Sequence, residues 1–74
     1  MTPEHYAGDG EIDCMDAMRS MTAKADGIPP MELWWWLCAA KYLWRWPHKG
    51  QAVADLEKAR DCIGKLLAEM EASR

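Results

Sequence analysis

Two breaks divide this chain into three stretches, and each break combines proline with glycine. The first is Asp26-Gly27-Ile28-Pro29-Pro30 and the second is Pro47-His48-Lys49-Gly50. Glycine ends a helix because it enters the left-handed region without steric penalty. Proline opens one because its missing N–H is not needed in a first turn. The breaks predict one helix from Glu11 to about Ala25, a second from Pro30 to Arg45 or Trp46, and a third from about Gln51 to Ala72.

Apolar spacing agrees with the breaks. Ile12, Met15, Met18 and Thr22 recur at helical intervals, widened by Cys14 and Met21, while Asp9, Glu11, Asp13 and Asp16 crowd the start, where the helix dipole favours negative charge. In the third stretch Val53, Leu56, Ala59, Ile63, Leu66, Leu67 and Met70 form one broad apolar stripe, with Arg60 where a strict heptad would want an apolar residue. No stretch alternates with period two, and no repeat is present. The expected fold is all-α: a small three-helix domain over residues 11–74, preceded by an N-terminal arm, MTPEHYAGDG, over residues 1–10.

A domain of this size hides only roughly 60% of the surface its unfolded chain exposes, so surplus apolar surface has consequences. All five tryptophans lie between residues 34 and 46. Successive helix positions are about 100° apart, so Trp34, Trp35 and Trp36 cannot share one core. The second helix is apolar around most of its circumference, the pattern of a helix covered on more than one side. A second copy of the chain is the simplest cover, which predicts a homo-oligomer assembled through this tryptophan-rich helix. The alternative use of Trp34, Trp35, Trp44 or Trp46 is a stacking platform for a nucleobase.

The same segment carries the densest positive charge. Lys41 and Arg45 are four apart on one helix face, and His48 and Lys49 follow just past the helix end. Cations near a helix C-terminus suit the dipole, but Arg45 is flanked by Trp44 and Trp46, which can shield its bond to an anion such as phosphate. Asp55 can pair with Arg45 or Lys41 across the helix pair, or hold magnesium through its oxygens. His5 and Tyr6 stand in the glycine-flanked arm.

Several classes are excluded. A net charge of −3 argues against broad coating of duplex DNA. Cys14, Cys38 and Cys62 are odd in number and far apart, matching neither a disulfide framework nor a zinc site, and read as small buried thiols. No apolar run approaches the ~20 residues of a membrane span, and the N-terminus lacks a secretory pattern, so no membrane association and an intracellular, soluble chain are expected. The phosphate-binding Gly-x-x-x-x-Gly-Lys-Ser/Thr loop is absent; a nucleotide kinase built on this chain would do without it.

Two longer patterns carry a resemblance: P-E-H-Y-x-G-x-G-E-I-D-C-M-D-A at the start, and A-A-K-Y-L-W-R-x-x-x-K-G-x-x-x-x-D-L-E-K-A-R at 39–60. They resemble a family of short bacteriophage proteins of unknown function, linked to nucleotide kinases by likeness to a domain of a phage nucleoside-monophosphate kinase. The family pattern falls on His5, Tyr6, Lys41, Tyr42, Arg45, Lys49, Asp55, Leu56, Lys58 and Ala59. Cys38 stands where the family usually has asparagine, and Cys62 where an aromatic is common. The resemblance implies a protein of the bacterial host cytoplasm that binds a nucleotide or related phosphate ligand through His5, Tyr6, Lys41, Arg45 and Lys49. Were it catalytic, Lys41 and Arg45 would neutralise charge on the moving phosphoryl group, and Asp55 would hold the magnesium that accompanies the nucleotide. The rival expectation is a phage effector. It would block a host defence protein, for example a CRISPR nuclease, or sequester a nucleotide signal by binding alone, because a small acidic chain with surface tryptophan suits a blocking interface.

Overall fold

Residues 4–73 are described by the structure, a computed structural model. A short 3₁₀ turn, Glu4–Tyr6, leads into α1 (Cys14–Thr22), α2 (Pro30–Arg45) and α3 (Ala52–Ala72). The all-α expectation is met, and α2 and α3 run between the predicted breaks.

Helix α1 is shorter than expected at both ends, for a local reason in each case. The Asp9 carboxylate accepts from the N–H groups of Glu11 and Ile12 at 2.9 and 3.0 Å, and these donors, Ile12 first, hold its pKa below the ordinary aspartate value. Asp13 then caps α1, accepting from the N–H of Asp16 at 2.8 Å. Together the two aspartates turn the chain before letting it coil. At the other end Ala23 and Ala25 donate to the carbonyls of Ser20 and Thr22, three residues back, which tightens and ends the helix.

Helices α2 and α3 form an antiparallel pair whose steps are matched. Arg45 meets Asp55, Tyr42 meets Lys58, Cys38 lies across from Cys62 in one cleft, and Trp35 meets Lys65. Each step of three or four residues down α2 is answered by the same step up α3. Ala39 and Ala59, both buried, keep bulk out of the seam and let the two helices approach. Helix α1 contacts α2, and its first residue, Cys14, is 2% exposed, with its thiol donating to the Met18 sulfur at 3.5 Å.

The broad stripe expected on α3 divides into two seams. Asp55, Ala59 and Cys62 are buried and continue into half-buried Leu66 against α2. Val53, Leu56, Ile63 and Leu67 stay exposed on the other side, and exposed Met70 lies between the two seams, bordering a groove with Trp36 and Leu66. The chain is correspondingly flat: its extents are 40 × 28 × 14 Å and its radius of gyration is 13.3 Å. A compact domain of this length would have a radius of gyration of roughly 11 Å. Among the described residues no helix is long and apolar enough to cross a membrane.

Candidate functional site

Where α2 ends and α3 begins, a polar joint is closed off from water. Arg45, the last residue of α2, is 8% exposed, and Asp55, in the first turn of α3, is 0% exposed. The arginine donates through Nη2 to Asp55 Oδ1 at 3.1 Å and through Nη1 to the Tyr6 hydroxyl at 3.1 Å, and its guanidinium carbon lies 4.7 Å from the centre of the Tyr42 ring. Burial opposes the charge on Arg45, but the hydrogen bonds it donates to Asp55 and Tyr6 outweigh it, so its pKa sits above the ordinary arginine value. One guanidinium thus ties the N-terminal arm to both long helices.

The arm is held in place by shape as well. Gly8 has φ +64°, and a Cβ there would overlap the Ile12 carbonyl oxygen and come within 2.8 Å of Trp44 Cζ2. Trp44 therefore lies against bare backbone. This is a packing position, with the indole N–H of Trp44 buried.

Beside the joint, α2 and α3 enclose a cleft of about 390 Å³. Trp34, Trp35, Lys41 and Tyr42 line it from α2, and Lys58, Asp61 and Lys65 from α3. The ammonium groups of Lys41 and Lys58 lie 4.6 and 5.6 Å from the centre of the Tyr42 ring, and that of Lys65 lies 4.8 Å from Trp35. Seven residues separate Trp35 from Tyr42, two turns of helix, which spaces the two cation–aromatic groups by roughly 10 Å. Three ammonium groups face a single carboxylate, Asp61, and among the described residues none of the three forms an ion pair. An acidic chain has gathered net positive charge in one aromatic-walled groove.

Cys38 and Cys62 border the same cleft. Burial pushes the Cys62 thiol up, the neighbouring Cys38 adds to the rise, and Lys65 and Lys41 pull against it. Cys14 is raised by burial and by Asp13, with Lys41 opposing. Cys14 and Cys62 are therefore protonated at neutral pH and are poor nucleophiles.

The residues expected to hold phosphate are thus distributed over different surroundings. Lys41 lines the cleft. Arg45 is turned inward onto Asp55 and Tyr6, because the antiparallel register brings its head to a buried carboxylate. His5 packs against Tyr6 with ring centroids 4.2 Å apart, and Lys49 is exposed beyond the end of α2. Asp55, the expected magnesium ligand, has given one oxygen to Arg45, and no cluster of three or more His, Cys, Asp or Glu residues suited to a metal occurs among the described residues. Trp34 and Trp35 line the cleft, whereas Trp36 enters a separate apolar groove with Ile28, Leu66 and Met70, and Trp46 is 38% exposed. Lys58 and Lys65 were not singled out as ligand-binding from sequence. Their signal was a seven-residue spacing that mirrors Trp35 and Tyr42, visible only once the two helices are set antiparallel.

A protein-family model described as a protein of unknown function (DUF3310) matches residues 1–63. The match takes in the arm, α1, α2 and α3 as far as Ile63, and so includes Lys41, Arg45, Asp55 and Lys58 but not Lys65. No curated protein and no solved structure matches the chain.

Proposed function

The chain belongs to that family, whose description assigns no activity, and we propose that it binds an anionic ligand of the nucleotide class in the cleft between α2 and α3. The observation that carries this reading is the convergence of Lys41, Lys58 and Lys65 on an aromatic-walled groove where, among the described residues, no ion pair engages them. Like charges gathered in this way repel one another, and an anion entering the groove relieves the repulsion. The aromatic walls narrow the choice from bare phosphate to a ligand that also carries a flat ring. Trp34, 56% exposed at the cleft, offers a face on which a base can stack. Phosphate oxygens then lie toward Lys41 and Lys58. Arg45 and Asp55 act at one remove, fixing the angle between the helices that carry the lysines. The proposal is one of binding, and no residue is assigned to a transfer step.

Tryptophan fluorescence tests it directly, because Trp34 and Trp35 form part of the cleft. Titration with nucleoside mono- and triphosphates, with and without magnesium, is expected to give a saturable change. That change should be lost in Lys58→Glu and kept in Lys49→Ala. A flat response at millimolar nucleotide would sink the reading. Adding a monophosphate and a triphosphate together, with product analysis, extends the same experiment to phosphoryl transfer.

The exposure of Trp34 favours one second reading, a blocking contact with a host protein. It predicts a nucleotide-silent protein whose capture of that partner is abolished by Trp34→Ala.

A further inference from the structure

The outer seam of α3 is apolar, regular and uncovered. Val53, Leu56, Ile63, Leu67 and Met70 are 71, 41, 43, 54 and 43% exposed. They follow the alternating three- and four-residue steps of a coiled-coil heptad, with Arg60 at the remaining seam position. Helix α3 uses a different set of positions, Asp55, Ala59, Cys62 and Leu66, against α2, and of the outer seam only Met70 also borders a groove with Trp36 of α2, so the rest of the seam is not surplus from that packing. We propose that this seam binds a second copy of the chain, with the two α3 helices antiparallel about a two-fold axis.

Three observations select that occupant. First, Val53, Leu56, Glu57 and Arg60 line a surface recess of about 290 Å³. Residues at i, i+3, i+4 and i+7 are the four that frame a hole for a knob from a facing coiled-coil helix. Second, the seam complements itself only in one direction. A parallel pairing sets Arg60 against Arg60 in an apolar seam, a like-charge contact that is disfavoured. An antiparallel pairing sets Arg60 against Ile63, Leu56 against Leu67 and Val53 against Met70. Helical side chains lean toward their own N-terminus, so the two Arg60 heads diverge from the axis, each toward Glu57 of its own helix. Third, Gly64 sits in mid-helix on the flank of this seam, and a Cβ there would meet nothing within 4 Å. Within one chain a glycine at this place has no packing reason and is less favourable than alanine. A second helix backbone passing close to the flank supplies one.

The assembly differs from the one expected from the tryptophans, since the contact is α3 and not α2. It also leaves the ligand cleft free, because Lys58 and Lys65 lie on the face of α3 opposite the seam. The inference stands independently of what the cleft binds.

Sedimentation equilibrium of the full chain tests the contact, with Leu67→Glu and Gly64→Ala as variants. Wild type is expected at twice the chain mass of 8.5 kDa, and Leu67→Glu is expected to raise the dissociation constant at least about tenfold with helicity unchanged. Gly64→Ala keeps the proposal testable should the charged variant fail to fold. Alanine is the better helix former, so a monomer would only be stabilised, whereas the dimer loses affinity. In a Cys38→Ser background, Val53→Cys combined with Met70→Cys should trap a covalent dimer on mild oxidation, and Val53→Cys alone should not. A wild type that stays monomeric at high micromolar concentration overturns the proposal, as does a dimer indifferent to both seam variants. Trapping by Val53→Cys alone overturns the antiparallel arrangement.

Discussion

Arg45 and Asp55 form an ion pair at 3.1 Å with side chains 9% and 0% exposed, at the corner where α2 hands the chain to α3. Removing one member of a buried pair leaves the other charge without compensation, a loss of about 3–5 kcal/mol. That is a large share of what a domain of this size can hold. Arg45→Ala and Asp55→Ala are therefore expected to lower the urea midpoint sharply or to abolish folding. Circular dichroism melts read this directly. A variant that folds as wild type and loses only nucleotide binding would show that Arg45 acts on the ligand and not on the fold.

The arm depends on the same guanidinium. Tyr6→Phe removes the hydroxyl that Arg45 meets at 3.1 Å, and a hydrogen bond to a charged group contributes about 1.5–3 kcal/mol. Gly8→Ala attacks the arm from its other side, through an unfavourable positive φ and overlap with Ile12 and Trp44. Both variants should speed amide exchange over the arm while α3 keeps its protection. Gly10→Ala serves as a control for backbone strain alone, because Gly10 also has positive φ but open space around it. Equal exchange in the Gly8 and Gly10 variants would mean that contact with Trp44 adds nothing.

Much of the fold was legible because proline and glycine mark its breaks unambiguously. Helix α2 runs from Pro30 as predicted, and α3 starts where Gly50 and Gln51 release the chain. The cleft was less legible, for a physical reason. An arginine between two tryptophans suits a phosphate or a buried carboxylate equally well, and only the antiparallel register, which sets Asp55 under Arg45, decides where the side chain goes. Likewise, Leu66 and Leu67 belong to one stripe by periodicity but to different seams in space. A single helix does not reveal how many partners share its apolar circumference.

Lys58 and Lys49 separate the cleft from general surface charge. Both are exposed, but only Lys58 approaches the Tyr42 ring. Exposed cations act through a screened field, with a Debye length of about 10 Å at 0.1 M salt. Nucleotide affinity is therefore expected to fall as salt is raised. Lys58→Ala should weaken it by about 1 kcal/mol or more, roughly fivefold at least, without changing the melting temperature by more than a degree or two. Lys49→Ala should leave affinity within error. Equal losses from the two substitutions would point to diffuse attraction and away from a built site.

Cys14 and Cys62 tie stability to alkaline pH. Both thiols are pushed above the usual value of 9.0, first by burial. The folded state therefore binds these protons more tightly than the unfolded state does. By linkage, the stabilisation is fully present below pH 9.0 and is lost as pH rises through the unfolded thiol value toward the folded one. Lysine and tyrosine titrate in the same range, so the informative quantity is the difference between wild type and Cys62→Ala. Their urea midpoints should stay a constant distance apart from pH 6 to about 8 and converge above about 9. Alkylation offers a parallel readout, since half-buried Cys38 should react first and the buried pair only as fast as the fold opens. A midpoint difference that is flat across the alkaline range would show that the Cys62 thiol ionises as readily in the folded chain as in the unfolded one.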